Sequence, residues 1–177
     1  RLWVFAQANS RFRHFPEPAV KPMVAALLRD MFDHCSSQDM EVCGAGLYAV
    51  LYFVGISSAP LQEAAAAGIL SLMKQNMQSP ASLWGWYHKR SALKCLSRAC
   101  KALSTARKQE CMALLASMLE LEPDWQRQLD IISEMQIFCG AVADSWLTYT
   151  ATAQQLAHME RSDAVHGEVR CRLFELF

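Results

Sequence analysis

The stretch that decides the fold is Met23–Gly55, MVAALLRDMFDHC-SSQD-MEVCGAGLYAVLYFVG: an apolar helical run, a short polar turn and a second apolar run. The same plan returns at Ala66–Cys100, AAGILSLMKQNMQ-SPASLWGW-YHKRSALKCLSRAC. It returns again at Cys111–Gly140, CMALLASMLE-LEPDW-QRQLDIISEMQIFCG, so the period is about 40 to 45 residues. A repeat of that length marks a stacked array of helical pairs, because one pair cannot bury its apolar face alone. Arrays of this kind mostly bind other molecules rather than transform them.

Pro16 and Pro18 punctuate a first helix predicted over about 19–34, with Met23, Leu27, Leu28 and Met31 on one face. Ser36, Ser37 and Asp39 supply N-cap candidates for a second helix over about 40–55, whose inward stripe is Cys43, Leu47, Val50, Leu51 and Val54. Gly44 and Gly46 weaken that helix locally and suggest close approach of a neighbour. Pro60 opens a third helix with Leu61, Ala65, Ile69, Leu70 and Met73 inward, and Ala64–Gly68 is expected to bend it into a short and a longer piece. A loop over 78–85 precedes a helix over 86–103 with Leu93, Leu96, Cys100 and Leu103 on one side. Helices are then expected over 107–121 and 124–147, the latter with Leu129, Ile132, Met135 and Cys139 inward. The tail from Thr150 reads as two shorter helices broken near Ser162 and Gly167.

The middle segment carries a family resemblance. Glu63–Met73, EAAAAGILSLM, followed after a turn by Ser91–Ser97, SALKCLS, resembles an armadillo repeat. That family's unit has a short helix ending near Gly, a second with paired Leu and a third of Ala-x-x-x-Leu character. Ala45–Val54 is similar to it in a weaker way, the third segment reads equally well as HEAT-like, and the resemblance spans about residues 19–140. It implies an all-α, right-handed armadillo/HEAT-like α-solenoid of about three repeats with atypical terminal helices. The third helices would line a concave binding groove. Peptide-binding members of the family place Trp and, four residues later, Asn on that helix. Here Arg90 follows Trp86 at that spacing, so recognition of basic signal peptides is not carried over. On this reading residues 1–17 form a basic N-terminal extension and 18–177 a single domain.

At 177 residues the chain is long enough for one sizeable core. Only 19% of it is charged, against roughly 25% in ordinary soluble domains, which suggests surface covered by partner subunits or further repeats. The formal net charge is +0, so no global field draws it to nucleic acid or membrane, and DNA is not an expected partner. The seven cysteines, Cys35, Cys43, Cys95, Cys100, Cys111, Cys139 and Cys171, are odd in number and mostly set in apolar helical runs. They read as reduced thiols of the cytoplasm, nucleus or an organelle matrix, including the mitochondrion. Gly44–Ala59 is the nearest approach to a spanning segment, and at about 16 residues with Tyr, Ser and Gly it reads as a core helix. Membrane association rests only on that stretch and on Arg1–Pro16, whose three Arg and lack of acids are also similar to the end of an organelle transit segment.

The sharpest local signal is charge segregation. Between Glu63 and Glu110 there are eight basic residues and no acid; from Glu110 to Asp144 there are seven acids opposed by Arg127 alone. Arg90, Lys94, Arg98 and Lys101 follow at steps of four, four and three, forming one ridge away from the Leu stripe. Like charges so spaced repel by a few tenths of a kcal/mol per pair, a cost that an anionic partner removes. The ridge therefore reads as a dock for acidic protein surface or RNA phosphate, against the plainer reading of a solvated helix face. Trp84 and Trp86, with Tyr87, lie beside it and read either as a stacking or gripping surface or as a plug between repeats.

Catalytic and metal signatures are weak. His14, His34, His88, His158 and His166 are scattered without metal-ligand spacing, and there is no nucleophile elbow, phosphate loop or dinucleotide fingerprint. No catalytic residue, metal ligand or cofactor is expected. The sequence thus points to a non-enzymatic scaffold for protein–protein interaction, a structural or accessory subunit of a larger complex. The alternative is an RNA-associated helical-repeat protein using the basic ridge.

Overall fold

A computed structural model describes residues 17–79, 82–141 and 145–176, and its regular structure there is helical without strands. The basic extension ahead of Glu17, with Arg1, Arg11 and Arg13, lies outside the described residues. In chain order the helices are α1 Glu17–Cys35, α2 Met40–Ile56, α3 Ala59–Gln78, α4 Trp86–Ala99, α5 Thr105–Leu121, α6 Trp125–Gly140, α7 Ser145–Arg161 and α8 Gly167–Leu176. A single 3-10 turn, Cys100–Ala102, extends α4. None of these helices is long and apolar enough to cross a membrane. The chain divides into two compact units, one ending at Cys95 and the other beginning at Leu96.

In the first unit, α1 and α2 form an antiparallel hairpin. Asp39 caps α2, its carboxylate accepting from the backbone N–H of Glu41 at 2.9 Å and of Val42 at 3.2 Å. Such a cap is worth about 1 kcal/mol. Gly44 and Gly46 each cost about as much in helix propensity. Burial outweighs both terms, since Cys43, Leu47, Val50 and Val54 are fully buried, at about 1.5–3 kcal/mol for each large aliphatic side chain. Gly46 is where α1 comes closest: a Cβ there would stand 2.7 Å from the Cys35 backbone nitrogen. The α1 face is buried at Leu28, Met31 and Cys35, and Leu27 is half-buried.

α3 runs unbroken from Ala59 to Gln78, so the bend expected at Ala64–Gly68 does not occur. Gly68 instead serves packing, because the Phe32 ring of α1 occupies the space its side chain would need. Ala65, Ala66, Ile69, Leu70 and Met73 bury the rest of that face. The α2–α3 corner is held by Gln62, whose Nε2 donates to the carbonyls of Val54 at 2.9 Å and Ser57 at 3.0 Å. α4 lies along α2 with the same polarity, its start beside the start of α2 through His88 and Met40, and Cys95 further on beside Leu47. The first unit thus has two layers, α1 with α3 and α2 with α4.

In the second unit α5 packs on α7 and α6 on α8. α5 and α6 are antiparallel, with the Lys108 ammonium near the start of α5 donating to the Ala141 carbonyl at 3.4 Å. α7 lies along α5 with ends aligned, Gln155 donating to Glu120 at 2.8 Å. α8 lies along α6, and Trp125 at the start of α6 stacks on His166 just before α8 at 4.1 Å between ring centroids. The expected helix over 124–147 stops at Gly140. Ala141 leaves the helix at φ −90° and ψ 0°, and the buried Tyr149 of α7 donates its hydroxyl to the Phe138 carbonyl at 3.3 Å. Residue 149 itself is non-helical, at φ −114° and ψ 19°, and kinks α7. The tail carries the two shorter helices expected there, α7 and α8, broken between Arg161 and Gly167 and packed on each other.

Candidate functional site

The candidate interaction site is built on α4 and on the loop that launches it. Ser82 organises that loop: its hydroxyl donates to Asn76 Oδ1 at 2.7 Å and accepts from the Trp84 backbone N–H at 3.2 Å. The Gly85 carbonyl then accepts from the N–H groups of His88 and Lys89, setting the first turn of α4. This places Trp84 inward, at 8% exposure, against the buried Cys43. Burial pushes the Cys43 thiol up, and a hydrogen bond from the Trp84 side chain offsets part of that rise.

His88 sits on the same inner side and is buried. Its Nε2 lies 3.2 Å from the Met40 carbonyl, which can only accept, so in the neutral ring Nε2 carries the proton. Its Nδ1 is buried without a hydrogen-bond partner among the described residues. The Tyr87 ring meets the imidazole edge-on at 5.6 Å, and the Trp84 ring is tilted against it at 6.5 Å. Histidine thus acts here as a strut between α4 and α2.

The outer side of α4 is cationic. Arg90, Lys94 and Arg98 are exposed, and so is Lys101 in the 3-10 turn, while Leu93, Leu96, Cys100 and Leu103 are buried behind them. The ridge expected from spacing is therefore a surface feature. The aromatic pair beside it divides differently: Trp84 is buried and Trp86 half-buried, so a gripping role for Trp84 would need the core to open. Tyr87, at 64% exposure, is the member of that cluster which faces out. Two further outward aromatics, Tyr48 and Tyr52 on α2, were not singled out from sequence. Their signal was available as an i, i+4 pair opposite the Cys43–Leu47–Val50–Val54 stripe.

The acids of residues 110–144 are largely engaged within the second unit. Glu110 pairs with Arg107, Glu122 lies 3.6 Å from Arg127, and Asp124 caps α6 by accepting from Gln126 at 2.9 Å and Arg127 at 3.1 Å. Glu120 meets Gln155 and stands 3.9 Å from His158. None of the seven cysteines is in a disulfide: Cys35, Cys43, Cys95, Cys100 and Cys111 are buried, Cys139 is half-buried and Cys171 is exposed. Desolvation pushes Cys35 up to about 12, helped by the adjacent Cys43, and Cys139 up to about 11. Tyr149 is likewise raised, by burial first and by the neighbouring Cys139, Cys100 and Cys111. Raised thiols are poor nucleophiles. Among the described residues no group of three His, Cys, Asp or Glu is placed to hold a metal ion.

No family model, curated protein or solved structure matches this chain.

Proposed function

We propose that the chain is a helical-repeat scaffold that binds protein partners, serving as a structural or accessory subunit of a larger assembly. The observation that carries this reading is the exposed cationic ridge Arg90–Lys94–Arg98–Lys101 on a helix whose other side is fully committed to the core. Four cations on one exposed ridge offer complementary charge to an acidic protein surface. The hairpin layers support the scaffold half of the reading. In the second unit the first helix of one pair lies on the first of the next and the second on the second, and in the first unit α4 runs along α2, the lay expected of stacked repeats in an armadillo/HEAT-like solenoid. Two helices per repeat, with α3 unbroken, favours the HEAT-like variant.

The test is native purification from source cells with and without RNase, using the wild type and the double variant Lys94→Glu/Arg98→Glu. Both substituted side chains are exposed, so the variant should fold normally. A defined protein set that survives RNase and is lost from the variant supports the scaffold. Loss of the co-purifying material on RNase treatment assigns the ridge to RNA instead. Partners retained by the variant remove the ridge from the site.

A further inference from the structure

The ridge does not stand alone. α2 commits Cys43, Leu47, Val50 and Val54 to the core, which turns Tyr48 and Tyr52 to the opposite face at 58% and 38% exposure. α4 lies beside that helix with the same polarity, fixed by His88 to the Met40 carbonyl and by the Cys95 thiol to the Leu47 carbonyl at 3.7 Å. Where the two helices meet, Gly44 has no side chain, and a Cβ there would stand 3.6 Å from Tyr87 Cε1. Tyr87 therefore sits at the seam, with the tyrosine edge of α2 on one side and Arg90 and Lys94 of α4 on the other. Three exposed tyrosines and two cations share one outer surface within the first unit.

We infer that this α2–α4 surface is the docking face for an acidic polypeptide segment, gripped by Tyr48, Tyr52 and Tyr87 and charge-paired by Arg90 and Lys94. The inference rests on the scaffold reading and gives the partner its chemistry. Tyrosine and arginine are the residue types that concentrate binding energy at protein interfaces, since each offers a large contact area with a polar end. Tyrosine also loses little side-chain freedom on contact. The charge on the face selects the partner. α4 presents cations and no acid along its length, so carboxylates on the partner find complementary charge. RNA suits the face less well. It carries a phosphate at every nucleotide, and the α2 edge bears the exposed Glu41 about two turns before Tyr48. A polypeptide can set its acids opposite Arg90 and Lys94 and its apolar side chains on the rings.

The test uses the full chain and two defined probes, a short fluorescein-labelled peptide of Glu and Leu and an oligouridylate of similar length. Tyr48→Ser/Tyr52→Ser and Lys94→Glu are the variants, each checked for a wild-type circular dichroism melt. The expected result is salt-sensitive binding of the peptide by the wild type, weakened about tenfold or more by either variant. The inference is overturned by wild-type affinity in the tyrosine variant, by absence of peptide binding, or by oligouridylate displacing the peptide. A concentration-dependent dimer abolished by the tyrosine variant also overturns it, because a second copy would then own the face. Should native partners depend on Lys94 and Arg98 but not on the tyrosines, the scaffold reading stands and this inference fails.

Discussion

Adding one methyl group at Gly44 and at Gly46, two residues apart on α2, should move stability in opposite directions. Both substitutions by alanine gain about 1 kcal/mol of helix propensity. At Gly44 that gain is kept, because the new Cβ would meet Tyr87 and His88 at 3.6 and 3.7 Å, ordinary van der Waals distances. At Gly46 the Cβ would fall 2.7 Å from the Cys35 nitrogen, 2.9 Å from His34 Cβ and 3.0 Å from the His34 carbonyl carbon. Two of those three atoms are backbone, so no rotamer change relieves the clash. The last turn of α1 must move, and it carries Cys35, which is fully buried. Overpacking costs about 1–3 kcal/mol, with backbone collisions at the upper end. Gly46→Ala is then net destabilising by about 2 kcal/mol, and Gly44→Ala stabilising by up to about 1 kcal/mol. For a chain of 177 residues each kcal/mol moves Tm by about 2–4 °C, so the two variants should melt roughly 6–12 °C apart. Thermal and urea melts by circular dichroism read the difference directly. A Gly46→Ala protein that melts with or above Gly44→Ala would refute the close approach of α1 to α2.

Gly68→Ala should also destabilise, because the Phe32 ring fills the space beside it, and Phe32→Leu in the same chain should recover part of the loss. A urea double-mutant cycle measures that coupling, and strictly additive effects would disprove the contact. Titration with Ellman's reagent should label the exposed Cys171 quickly while Cys35 and Cys139 react only on unfolding. The same burial makes stability pH-dependent. Cys35 ionises near 9.0 when unfolded but only near about 12 in the fold, so its contribution is complete below pH 9 and is lost as pH rises toward 12. Replacing Cys35 by Ala should flatten the alkaline slope between those limits, and an unchanged slope would contradict the assignment.

The parts of the fold legible in sequence were those where one helix face is bought with a run of aliphatics. Leu93, Leu96, Cys100 and Leu103 read as a stripe and are all buried, and Asp39 reads as a cap and is one. Elements set by tertiary contact were not legible. Gly68 looks like a breaker from propensity alone, yet the Phe32 ring of α1 is what requires glycine there. Gly140 is a local stop signal inside an apolar pattern that runs on past it, and the stop goes with the buried Tyr149 that bonds back to Phe138. The site divides along the same line. Spacing placed Arg90, Lys94, Arg98 and Lys101 on one ridge, but which of Trp84, Trp86 and Tyr87 faces water depends on the loop bonds of Ser82.

The parallel lay of the hairpins has a consequence for biosynthesis. Bonds between one hairpin and the next close loops of 48 residues at Met40–His88 and Leu47–Cys95, and of 35 at Glu120–Gln155. Closing loops of this size is fast compared with translation, which adds about 5–20 residues per second. Within each unit the first pair of helices therefore leaves the ribosome with its apolar face uncovered until the next pair, about 40 residues further on, has been made. At about 5–20 residues per second that wait is roughly 2–9 seconds, the interval in which the nascent chain presents Met31, Leu47 or Val50 to whatever surrounds it.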